Sequence, residues 1–126
     1  MSTTGPTLEL DTESLGALHW LVVVTALVSA GAHLYLGLQD LGGFFGTSFL
    51  VATAGFVAGV VAILVNYRRR LVYLLGIPYT ATQIVLWFAL NQPIPPISTA
   101  EVVDKTAQVV LVVALVSLYR RGDDGD

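Results

Sequence analysis

Asn66-Tyr67-Arg68-Arg69-Arg70 is a short basic break between two long uncharged stretches, and its reading decides the fold. It holds three of the five arginines, while the 23 residues from Phe44 to Asn66 and the 20 from Leu71 to Leu90 carry no charge. About 20 apolar residues in a helix cross the ~30 Å hydrocarbon core of a bilayer. The break therefore reads as a turn at a membrane surface with an apolar helix entering lipid on each side.

Composition supports this class. Hydrophobic residues make up 55% of the 126-residue chain and charged residues 12%, about half the ~25% usual for soluble domains. The mean hydropathy is +0.75. The chain has too few charges to coat a small soluble domain, and its length suits one domain. It contains no cysteine, which removes disulfides and thiol chemistry.

Working outward, the expected architecture is an all-α integral membrane protein, an up-down-up-down bundle of four transmembrane helices in residues 14–119. The expected helices cover about 14–37, 44–66, 71–90 and 99–119. Residues 1–13 read as a flexible acidic tail and 120–126 as a second acidic tail. Ser14 is placed to cap the first helix, and Ser98 with Glu101 has the spacing of a capping box at the start of the fourth. Pro78 falls inside the third helix and should kink it, and the proline-rich stretch 91–99 should not be helical. The first apolar segment lacks a basic leader and is too long for a signal peptide, so it should stay in the mature protein.

Orientation follows from charge. Arg68, Arg69, Arg70, Arg120 and Arg121 fall on the side of both termini, and Lys105 alone falls opposite. The positive-inside rule then places both termini in the cytoplasm of a multi-pass cell-membrane protein, with the arginines at lipid headgroups. Tyr67, Trp20, Tyr73 and Tyr119 should mark the inner interface.

Four segments carry a resemblance: His33-Leu-Tyr-Leu-Gly37, Tyr67-Arg-Arg-Arg-Leu71, Gly76-Ile-Pro-Tyr-Thr80 and Asp104-Lys-Thr-Ala-Gln108. They touch three of the four expected helices. The chain resembles an uncharacterised family of small four-span membrane proteins from haloarchaea, and the resemblance implies no activity. One lysine against five arginines, with acidic tails, suits a protein kept soluble at high salt.

Polar residues inside apolar helices are costly and mark candidate sites. Counted from the helix ends, His33, Gln83, Asp104 and Gln108 fall at similar depth toward the outer face, with Thr47 and Ser48 in the same layer. One reading is an outward-facing polar pocket that binds a small ligand or exchanges a proton. The other is hydrogen-bonded glue between helices, with Glu101 and Lys105 a solvated pair. His19 and His33, 14 residues apart, lie within about 40° of one helix face and roughly 21 Å apart. That spacing suits b-type haem held between two copies of the chain by bis-histidine ligation. A small ion- or proton-coupled transporter is a third reading. Gly55-xxx-Gly59 offers a flat surface for helix packing, suggesting a homo-oligomer or a larger membrane complex. Catalytic motifs are missing, no metal is assigned, and the one basic cluster lies against the membrane, which argues against nucleic acid. The leading expectation is a non-enzymatic accessory subunit or small binding module.

Overall fold

The computed structural model describes residues 9–91, 98–122 and 124, and it is all-helical over its regular elements. Four helices run α1 (Ala17–Leu38), α2 (Phe44–Leu64), α3 (Arg69–Asn91) and α4 (Thr99–Arg121). Each is long and apolar enough to cross a membrane. Of the expected irregular stretch 91–99, Asn91 ends α3 and Thr99 starts α4, and of the expected C-terminal tail 120–126, Arg120 and Arg121 continue α4. Residues 1–8, 92–97, 123, 125 and 126 lie outside the described residues.

Helix ends follow from local chemistry. Ser98 Oγ accepts from the Glu101 amide at 3.1 Å and the Glu101 carboxylate accepts from the Ser98 amide at 3.0 Å, closing the capping box of α4. At the other end of α4, Gly122 adopts a left-handed φ of 70°, a geometry glycine takes without a Cβ penalty. The start of α1 differs from the Ser14 cap expected above. The helix begins after Gly16, whose amide donates to His19 Nδ1 at 3.0 Å, so a histidine takes the place of a capping acid. Ser14 instead donates to the Asp11 carbonyl at 3.2 Å. Its position three residues before the first turn leaves it outside capping range.

Packing is uneven. α1 packs against both α2 and α4, and α3 packs mainly on α4, whereas α2 and α3 scarcely touch. α1 and α4 bury 44% and 39% of their most apolar windows, against 17% and 11% for α2 and α3. The core accordingly gathers around α1 and α4, with Val22, Val23, Ala26, Leu111, Ala114, Leu115 and Leu118 meeting Phe56, Val60 and Ile63 of α2. Valines, leucines and phenylalanines cover the outer surface. Pro78 is exposed within an unbroken α3.

α2 and α3 are bridged at one level by Tyr79, whose hydroxyl donates to the Ala52 carbonyl at 2.9 Å. Gly55 makes this possible, because a Cβ there would collide with the Tyr79 hydroxyl. The Gly55/Gly59 face is thus turned toward α3 of the same chain. Below the bridge, an apolar cleft of about 360 Å³ opens between the two helices, floored by Val22, Ala26, Leu111 and Leu115.

Candidate functional site

Two polar networks interrupt the apolar core, each built on one histidine of α1. His19 and His33 are both 4% exposed, and they hold different partners.

The network around His33 begins with phase. Ser29 and His33 stand four residues apart and Asp104 and Gln108 stand four apart, so each pair shares one helix face. Where the two faces meet, Ser29 Oγ donates to Asp104 Oδ1 at 2.5 Å and accepts from Gln108 Nε2 at 3.2 Å. Gln108 Nε2 also donates to Gln83 Oε1 of α3 at 2.8 Å. Lys105 Nζ reaches inward to Asp104 Oδ2 and Gln108 Oε1, both at 2.9 Å. His33 Nδ1 donates to the Ser29 carbonyl at 2.8 Å and lies 3.4 Å from Asp104 Oδ1. Its ring sits among Phe49 and Phe56 of α2 at centroid distances of 5.6 and 5.7 Å.

Thus His33, Gln83, Asp104 and Gln108, matched in sequence by depth, meet in one cluster. Ser29 and Lys105 complete it. Depth from the helix end does not single out Ser29, but its spacing of four from His33 puts it on the same face. Lys105 is not the solvated partner of Glu101 expected above. Its flexible stem folds back to the buried carboxylate, while Glu101 accepts from Trp87 Nε1 at 3.0 Å. Thr47 and Ser48 stay outside the cluster on an exposed face, Ser48 donating to the Phe44 carbonyl at 2.8 Å.

The second network gathers at the arginine end. Asp124 Oδ2 receives the Tyr73 hydroxyl at 2.7 Å and lies 2.9 Å from His19 Nε2. Since His19 Nδ1 accepts from Gly16, Nε2 is the donor to this carboxylate. Arg69 is 2% exposed, so it does not face headgroups as expected. Its Nε donates to the Ile63 carbonyl at 2.8 Å and its two terminal nitrogens donate to Ser14 Oγ at 2.7 Å and the Asp11 carbonyl at 3.0 Å. It also lies 3.7 Å from Asp124 Oδ1. The helix starts at Arg69, and that phase turns this arginine inward while Arg68 stays exposed. Tyr73, expected at the interface, is buried for the same reason. Arg70 clasps the end of α4, donating to the Tyr119 carbonyl at 3.1 Å with its guanidinium 4.1 Å over the Tyr119 ring. Burial by itself raises the Asp124 carboxyl, but hydrogen bonds from Tyr73 and His19 and the charges of His19 and Arg69 outweigh it, holding Asp124 below the usual carboxylate value. Arg120 is exposed, as is Arg121.

Haem shared between two copies requires imidazole nitrogens directed out of the bundle. Both rings instead face its interior, His19 with both nitrogens engaged and His33 packed against two phenylalanines. This arrangement does not fit the group. Among the described residues, no three His, Asp or Glu side chains converge as a metal site.

The chain belongs to the DUF7475 family, a family of unknown function, whose model matches residues 6–119. No curated protein and no solved structure matches it.

Proposed function

We propose that the chain is a non-enzymatic multi-pass membrane protein, running up-down-up-down with the arginine end in the cytoplasm. In this reading it is an accessory or binding module, and the cluster of Ser29, His33, Gln83, Asp104, Lys105 and Gln108 is its polar site in the outer half. The observation that carries this is Asp104, 2% exposed yet shared by Ser29 of α1 and Lys105 of α4 with His33 alongside. Well-packed apolar residues hold helices together as well as a buried ion pair does. Titratable groups at such depth are therefore more economically explained by exchange of a proton or a small polar ligand. Lys105 is the way in, partly exposed beside the Trp87 ring.

Asp104→Asn tests the site. Asparagine keeps an acceptor for Ser29, and Lys105 can extend toward the surface. The site reading expects thermal unfolding in detergent within about 1 kcal/mol of the parent, with loss of the thermal shift that a small polar ligand gives the parent. A much larger loss of stability would make the cluster interhelical glue. Orientation is tested by single cysteines, since the chain has none. An impermeant thiol reagent on intact cells should label Gln39→Cys and spare Tyr67→Cys; the reverse would invert the topology. A dithionite difference spectrum without a Soret band is expected, and a stoichiometric haem band would instead restore electron transfer through His19 and His33.

A further inference from the structure

The cleft between α2 and α3 has no role in the polar site. We infer that it holds one hydrocarbon chain of an anionic phospholipid of the cytoplasmic leaflet, with the phosphate at Arg68. This rests on the membrane orientation proposed above.

The cavity of about 360 Å³ falls within the ~300–1,000 Å³ of ligand pockets, and its lining is apolar except for the Tyr79 and Thr80 hydroxyls. Its length is set at both ends. The Tyr79–Ala52 bridge closes it beside Gly55, and its other end, at Ile63 and Val72, lies next to the turn after Leu64. From Gly55 to Ile63 is about 12 Å along α2 at 1.5 Å per residue, close to the ~15 Å of one leaflet. A hydrocarbon chain entering from the turn therefore ends at the bridge. A transmembrane helix from another protein would not stop there.

Charge supplies the second argument. The turn and the first residues of α3 beside the cleft carry three arginines, two of them committed: Arg69 to the interior and Arg70 to Tyr119. Among the described residues, no hydrogen bond or ion pair engages the Arg68 side chain, whose carbonyl accepts from the Val72 amide at 3.0 Å, and the residue is exposed. Its backbone is left-handed, with φ of 48°, a conformation uncommon for a residue with a side chain. A guanidinium so placed at the surface end of an apolar slot matches the phosphate of a lipid whose chain fills the slot.

Native mass spectrometry of the protein in mild detergent, challenged with phosphatidylglycerol or phosphatidylcholine, tests this. The wild type should retain about one lipid per chain and prefer phosphatidylglycerol severalfold. Gly59→Leu puts a side chain into the cleft from a position where a Cβ meets only Val72 Cγ1 at 3.9 Å. It should lower retention of both lipids at least tenfold. Ala58→Leu is a second filler, and thermal melting of both variants at or above that of the delipidated parent shows that they fold. Arg68→Gln should keep retention and lose the preference for phosphatidylglycerol. Equal retention by the fillers, no lipid on the wild type, or a lipid-free dimer would each overturn the inference. Vesicle flotation separates the two failures. A chain that does not float defeats the membrane reading, whereas one that floats and retains no lipid defeats the cleft alone.

Discussion

The two histidine networks use the same residue on the same helix in opposite ways. His33 donates through Nδ1 to a carbonyl of its own helix, and its acid, Asp104, comes from the middle of the bundle with its own lysine. His19 accepts through Nδ1 from a backbone amide and donates through Nε2 to Asp124, which lies beyond the last helix. One network is made of side chains at helical spacing on α1, α3 and α4. The other ties together segments outside or at the ends of helices: residues 11–16, the turn before Arg69, and the stretch after α4. The lesson is that one imidazole can serve as part of a charged interior or as a fastener of chain ends, and its tautomer tells which.

The largest expected effect is at the first network. Asp104→Ala removes the acceptor of the buried Ser29 hydroxyl and opens a void, so even with Lys105 extended to the surface it should lower stability by about 3 kcal/mol, measured by denaturing-detergent titration. Next is Arg69→Gln, which weakens three hydrogen bonds at the second network and should lose about 2–3 kcal/mol. Arg68→Gln in the same assay should change little, because that side chain is exposed. Asp124→Asn should lose about 1–2 kcal/mol at pH 7 and should also change the acid limb of the stability curve. The folded pKa of Asp124 lies below its unfolded value near 4. Its contribution is therefore fully present above about pH 4 and disappears as pH falls through the folded value. Wild type should lose stability through that range more steeply than Asp124→Asn; parallel curves would show that Asp124 has no such role. The smallest effect is spectroscopic. Nitrogen chemical shifts should report Nε2–H for His19 and Nδ1–H for His33, and identical tautomers would erase the contrast.

How much of this was legible depended on whether position was set by a helix. The uncharged stretches on either side of Arg68 to Arg70 marked α2 and α3, because helix length and fixed rise leave little freedom. The same fixed rise brought His33, Gln83, Asp104 and Gln108 to one level on paper. Depth alone says nothing of facing, so Thr47 and Ser48 were grouped with them and point elsewhere. Asp124 was not legible as a partner of His19, since no periodicity links a residue beyond α4 to the first turn of α1. Nor could three consecutive arginines be told apart without knowing that α3 begins at the second. The Tyr79 bridge was hidden for a related reason: Gly55-xxx-Gly59 announces close approach but not the partner.

The fastening of His19 has a consequence in time. Asp124 follows it by 105 positions, which at synthesis rates of 5–20 residues per second is roughly 5–20 s of translation. During that interval the imidazole has only the Gly16 amide from this network, and Arg69, once made, lacks the acid it will share. α1 must therefore wait beside the later helices with its first turn unlocked. A chain that stops after α4 has all four helices but lacks the aspartate that fastens His19 and Tyr73 together.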